Sequence, residues 1–248
     1  DVSANTALTT LYCYSNQLTS LDVSANTALT TLYCSYNDLT VLDVSANTAL
    51  TKLYCHYNEL TALDVSVNTA LERLSCYSNQ LTSLDVSVNT ALERLYCYSN
   101  QLTSLDVSAN TALIKLKCQT NQLTYLNMKN GVTDGLTDFI ATGNSLDCIE
   151  VNAGDVDYAT TNWTYANGNI DDGVTFSTIC SNPTFTYVPD DNFEQALIDL
   201  GYDDVLDDSV LTANIRAVTS LDVGEKEISD LAGIEDFTAL TYLNCRSN

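Results

Sequence analysis

Three series of side chains in this sequence recur at a spacing that could gather them on one surface. Lys52, Arg73, Arg94 and Lys115 follow one another every 21 residues, after Thr10 and Thr31 in the same series. Two places further on stand Tyr12, Tyr33, Tyr54, Ser75, Tyr96 and Lys117, and two beyond those Tyr14, Ser35, His56, Tyr77, Tyr98 and Gln119. Tyrosines beside Arg and Lys make a platform for a glycan or for an acidic protein segment. The same pattern also fits tyrosines that simply stack along a sheet with solvated charges beside them.

Carboxylates offer a second kind of chemistry. Asp22, Asp43, Asp64, Asp85 and Asp106 form another 21-residue series, each two residues before a serine. Like charges at a strand spacing of about 4.8 Å repel by roughly 1 kcal/mol per neighbouring pair in water, so hydrogen bonds or cations must offset them. Hydrogen bonds to the serines are the simpler answer. Asp203, Asp204, Asp207 and Asp208 crowd one loop, where calcium is a candidate ligand. Their spacing is not that of an EF-hand, so a solvated acidic turn is the alternative. Catalysis lacks an inventory: the single histidine, His56, lies inside a repeat column, and there is no phosphate-binding glycine loop and no His/Cys metal spacing. The chain is expected not to be an enzyme and to need no cofactor, calcium apart.

The elements that would position these residues come from the repeat. Leu18-x-x-Leu21-x-Val23-x-x-Asn26 is followed by Leu29-x-x-Leu32-x-Cys34-x-x-Asn37, and the pair returns every 21 residues. Leu-x-Cys and Leu-x-Val alternate with period two, so each predicts a short strand with those side chains inward. The asparagine then turns the chain, and its amide can bond neighbouring coils. One coil cannot bury its own leucines. Stacked coils make parallel sheets around one continuous core. The spacing thus predicts a mainly β solenoid of 21-residue coils with parallel sheets, and little helix inside the repeats.

Cys13, Cys34, Cys55, Cys76, Cys97 and Cys118 occupy one repeat position and are expected to be small core residues. Cys148 and Cys180 leave that series. A disulfide between them is the first reading, and two buried thiols the second. A helix is expected over 189–200, from the Pro and Asp at its start to Gly201 at its stop.

Repeats of this form resemble the 21-residue leucine-rich repeats of secreted Bacteroidetes proteins. Tyr187–Leu197 and its continuation to Val223 is similar to the helical N-terminal cap of those proteins. Leu146–Val151, Asn162-Trp163-Thr164 and Phe176–Cys180 are similar to their irregular C-terminal cap. The resemblance implies a secreted or cell-surface adhesin or accessory domain, and in Asp208-Ser209-Val210 an O-glycosylation site at Ser209. The expected layout is repeat coils over 1–126, a final coil and C-type cap over 127–181, a linker and helical N-type cap over 182–220, and the start of a new array over 221–248.

In that layout the caps stand in inverted order, and both chain ends fall in mid-coil. Tandem domains, or a permuted subunit joined head to tail, would account for this. The expected function is therefore an extracellular structural or adhesive module that assembles end to end with copies of itself into a fibre or surface layer. The alternative is a glycan- or protein-binding module that uses Tyr12, Tyr33, Lys52, Tyr54, His56, Arg73, Tyr77, Arg94, Tyr96, Tyr98 and Lys115. A net charge of −23 speaks against nucleic acid and against anionic membranes, and no apolar run reaches the roughly 18 residues of a spanning helix.

Overall fold

Three residues of each coil are extended because their central leucine must point into the core while its neighbours point out. The computed structural model describes residues 2–180, 185–203, 205–216 and 218–248, with the linker residues Asn182, Pro183 and Thr184 outside that description. The chain divides into two units, Asp1–Cys180 and Ser181–Asn248.

The first unit is the solenoid. Its strands in chain order are β1 (Thr10–Tyr12), β2 (Thr31–Tyr33), β3 (Lys52–Tyr54), β4 (Arg73–Ser75), β5 (Arg94–Tyr96), β6 (Ser104–Asp106), β7 (Lys115–Lys117), β8 (Tyr125–Asn127), β9 (Asp138–Ile140), β10 (Cys148–Glu150) and β11 (Thr175–Ser177). Strands β1, β2, β3, β4, β5, β7 and β9 pair side by side in one parallel sheet, and β6, β8, β10 and β11 form a second. In the first sheet the register is one coil per strand, as in Leu32↔Leu53 and Leu53↔Leu74. The architecture is the expected mainly β solenoid with few helices.

The opposite wall differs from expectation in one respect. A strand was expected over Leu21–Val23 and its equivalents, but backbone pairing on that wall begins only at β6. In the earlier coils the wall is held by buried Val23, Val44, Val65 and Val86, and by aspartates that fold back on the next serine's amide, as Asp43 does on Ser45 at 2.8 Å. The core between the walls is a stack of Leu, Val and Cys, with Leu32, Leu53, Leu74, Cys55, Cys76 and Cys97 almost fully enclosed.

Asparagine amides lock each coil to its neighbour. The Asn79 amide nitrogen donates to the Cys76 carbonyl of its own coil at 2.9 Å and to the Cys55 carbonyl of the coil before at 3.1 Å. Its oxygen accepts from the Leu60 amide of that earlier coil at 3.0 Å. Asn37, Asn58, Asn100 and Asn121 repeat the arrangement. A second column, Asn47, Asn68, Asn89 and Asn110, donates across coils from the other side, as Asn68 does to Val44 and Asn47. The solenoid ends in a helix, α1 (Val156–Asn162), and a Cys148–Cys180 disulfide. There the Trp163 and Phe139 rings meet at a tilt, with centroids 4.4 Å apart.

The second unit holds β12 (Phe185–Tyr187), α2 (Asp191–Asp199), β13 (Ser209–Leu211), α3 (Thr212–Ile215), β14 (Ser220–Asp222) and β15 (Tyr242–Asn244). Phe193 and Leu197 of α2 pack with Val188, Val210, Ile215 and Phe237 in its own core. Asp190 caps α2 and fastens it to the repeat that follows. One carboxylate oxygen accepts from the Asn192 and Phe193 amides, and the other from Ser229 and Asp230. Gly233 has φ +97, and a Cβ there would meet the Tyr187 carbonyl at 2.7 Å, so only glycine fits. Leu243 is 38 % exposed, whereas its register partner Leu221 is 1 % exposed.

Asn79→Ala strands an amide and two carbonyls in the core. Urea unfolding should show a loss of about 3 kcal/mol, against less than about 1 kcal/mol for Asn16→Ala, whose amide bonds only its own coil. The Ser229 hydroxyl foremost, then the surrounding amides, hold the Asp190 carboxyl at about 2. Because this lies below the ordinary value of about 3.9, its contribution is full above roughly pH 4 and fades as pH falls towards 2. Circular dichroism across that range should show Asp190→Asn losing part of the acid dependence, along with roughly 1 kcal/mol of stability at neutral pH from the weakened cap.

Candidate binding face

The outward side of β1 to β5 and β7 carries the residues singled out by their spacing. Strand pairing sets their order directly, because residues one coil apart are register partners. Tyr12 stacks on Tyr33 with ring centroids 4.7 Å apart, and Tyr33 on Tyr54 at 4.1 Å. In the next column His56 stacks on Tyr77 at 4.3 Å and Tyr77 on Tyr98 at 4.1 Å. Rings stacked at the strand repeat turn their faces to one another, so a partner meets their edges and hydroxyls. Burial first, then the neighbouring Tyr54 hydroxyl, pushes the Tyr33 phenol up to about 12, and burial likewise raises Tyr77 and Tyr98. These hydroxyls stay protonated, and can donate as well as accept, at any physiological pH.

The first ladder is interrupted at Ser75, which stands between Tyr54 and Tyr96 in the strand register. The Ser75 hydroxyl lies 3.3 Å from His56 Nδ1. The two belong to adjacent coils and meet only through the register. Ser75 is 3 % exposed, too enclosed to meet a substrate, and burial lowers the His56 pKa, so the imidazole is neutral near pH 7. The pair is a joint in the ladder.

Tyr36 and Tyr57 join this face from outside the three columns that the spacing singled out. They stack at 4.5 Å and meet His56 and Tyr77 edge-on. Both have positive φ, 54° and 51°, as do Ser15, Ser78, Ser99 and Thr120 at the same place in other coils. Left-handed backbone is costly for a residue with a Cβ, and the following asparagine holds it in place. The signal was present as a fourth 21-residue series directly before each ladder asparagine.

Beside the rings runs the column of cations. Lys52 pairs in register with Arg73, Arg73 with Arg94, and Arg94 with Lys115. Its end is neutralised: Asp138, the register partner of Lys115, lies 3.9 Å from Lys115 and 3.0 Å from Lys117. Among the described residues, Lys52, Arg73 and Arg94 make no ion pair, although Glu72 and Glu93 precede the arginines in sequence. The Nε atoms of Arg73 and Arg94 are buried without a hydrogen-bond partner. Like charges one strand apart cost about 1 kcal/mol per pair, and among the described residues no ion pair offsets this for these three.

The aspartate column on the other wall has a different fate. Asp22, Asp43 and Asp64 have their pKa values lowered chiefly by the hydroxyl, then the amide, of the serine two residues on, and Asp85 in the reverse order. In the second unit Asp207 accepts from the Ser209 amide and hydroxyl, the latter at 2.8 Å, and Asp204 lies outside the described residues. Among the described residues no three His, Cys, Asp or Glu side chains converge as a metal site would require. The repeat cysteines are free thiols, and burial pushes Cys76 and Cys118 up to about 12. They are packing groups. No described helix is long and apolar enough to cross a membrane.

A family model described as Leucine Rich repeats (2 copies) matches residues 6–44. Among solved structures, the functional domain of InlJ from Listeria monocytogenes, which includes a cysteine ladder, aligns with a TM-score of 0.58 and 30 % identity. The alignment covers 99 % of this chain and 55 % of that one. A leucine-rich-repeat protein of Leptospira interrogans aligns with a TM-score of 0.57 and 22 % identity, over 68 % of this chain and 50 % of that one. The chain therefore spans about half the length of these proteins. No curated protein matches it significantly.

Proposed function

We propose that this leucine-rich-repeat protein is a binding module of the extracellular space or cell surface, and that its seven-stranded sheet holds a negatively charged partner. Leucine-rich-repeat solenoids are protein-interaction modules, and their stacking creates an extended surface of just this kind. The observation that carries the reading is the row Lys52, Arg73 and Arg94. In a chain of net charge −23 they sit in strand register, with no ion pair among the described residues, beside a wall of tyrosine hydroxyls. Repulsion within that row disfavours the free protein, and an anionic partner removes it.

The test uses a polyanion of no particular structure. On immobilised dextran sulfate at low salt the protein should be retained despite its overall charge, and added salt should release it. The double substitution Arg73→Glu/Arg94→Glu should flow through with its thermal unfolding little changed. Absence of retention by the wild type, or equal retention of the variant, would overturn the reading.

End-to-end assembly is a second reading, with its own support. In the second unit Asn248 donates to Val223 and Cys245 and accepts from Ile228, the pattern of the solenoid asparagines. On the same coil Tyr242 and Leu243 are exposed. Light scattering should then show mass rising with concentration, and Leu243→Asp should stop it. A monomer at all concentrations would remove assembly between copies.

A further inference from the structure

We propose that the anionic partner of this face is the aspartate wall of a second copy, the two solenoids lying side by side. This rests on the binding face proposed above and names its partner. Lys52, Arg73 and Arg94 follow one another by strand register, so their backbone positions advance by the inter-strand distance of about 4.8 Å. Asp22, Asp43, Asp64 and Asp85 stand one to a coil in the same stack, each 21 residues from the next. The second asparagine column ties their wall coil to coil directly beside them, Asn47 to Val23 at 3.0 Å, Asn68 to Val44 at 3.2 Å and Asn89 to Val65 at 3.1 Å. Both columns therefore keep the pitch of the coil. Laid along each other in two copies they match rung for rung, whichever way the chains run. Within one copy they lie on different walls, and among the described residues none of these seven side chains makes an ion pair.

The relief of the aspartate wall suits long cationic side chains. All four carboxylates are exposed. A shallow groove of about 340 Å³ lies between Asp22 and Asp43, over Ser24, Val41 and Ser45. Another of about 400 Å³ lies between Asp85 and Asp106, over Ser83, Ser87 and Ser104. A guanidinium entering such a groove has a carboxylate on either side, and its fork of donors can serve both. A flexible polyanion must lose chain entropy to hold its charges at this pitch, whereas the wall already has them fixed there. Each copy carries −23 overall, but at about 0.15 M salt the Debye length of about 8 Å confines that repulsion to groups near the contact. The contact is heterologous, since each copy offers one face of each kind, so it continues from copy to copy into a layer.

Sedimentation of the whole chain tests this, with Leu243→Asp in every arm so that the end contact considered above does not contribute. At about 0.15 M salt the average mass should rise more than about twofold between roughly 10 and 500 µM, and return to the monomer at about 1 M salt. Soluble dextran sulfate, which competes for the cation column, should dissolve the association without any substitution. Arg73→Gln/Arg94→Gln should stay monomeric. So should Asp43→Asn/Asp64→Asn/Asp85→Asn, which keeps an oxygen for the serine bonds, with circular dichroism confirming that both are folded. An equimolar mixture of these two should form one-to-one dimers and nothing larger, because each supplies the face that the other lacks. Association that persists in either variant or under saturating dextran sulfate, or a mixture that stays monomeric, would overturn the paired columns. A parent that is monomeric throughout yet retained on immobilised dextran sulfate would overturn the second copy as partner and leave the anionic-partner face standing. A monomer that dextran sulfate does not retain removes face and partner together.

Discussion

One side-chain amide controls this molecule. In each coil after the first the ladder asparagine is tied to its own coil and to the previous one, and it does so from a place where the backbone has just turned through a left-handed residue. Backbone groups in a tight turn cannot pair with each other, and burying them unpaired would cost more than most single contacts return. The amide satisfies them and fixes the distance between coils in the same act. The 21-residue register, the stacked leucines and the alignment of every outward column follow from it.

Such alignment forces like residues together, and the chain meets the consequence in three ways. Aromatic columns gain from it, since rings at the strand repeat stack. Aspartates are repelled by it, and Asp22, Asp43, Asp64 and Asp85 are each given a serine two residues on, whose hydroxyl and amide lower the carboxyl pKa. Cations are repelled as well, yet among the described residues Lys52, Arg73 and Arg94 make no ion pair. The contrast singles out the cation column. Two of the three columns are solved inside the protein, and the third is left for something outside it.

The second unit uses the same device at smaller scale. Asn248 bonds Val223 and Cys245 as Asn79 bonds Cys55 and Cys76, while Asp190 does for a helix start what the asparagines do for coils. Glu194 is wholly buried in α2, and one of its oxygens accepts from the Asp207 and Ser209 amides. That carboxylate anchors the acidic loop by its backbone, a role invisible in the loop's own composition.

The solenoid, its period, its inward leucines and cysteines and the membership of each outward column were all legible in the sequence, because they depend on periodicity alone. A repeat of fixed length carries every residue to the same place in the next coil whatever the details of the turn. The sequence also set out the helix over 189–200, realised as Asp191–Asp199 behind its Asp190 cap. What only the tertiary structure decided are relations between columns. It chose rings face to face, which hides the surfaces a sugar would otherwise stack on. It brought Ser75 to His56, recruited Tyr36 and Tyr57, let the Leu21–Val23 wall go unlaced, and left three cations unpaired while Asp138 claimed two others. These depend on side-chain direction and on which neighbour lies within a few ångströms across coils, and a one-dimensional period holds no record of either.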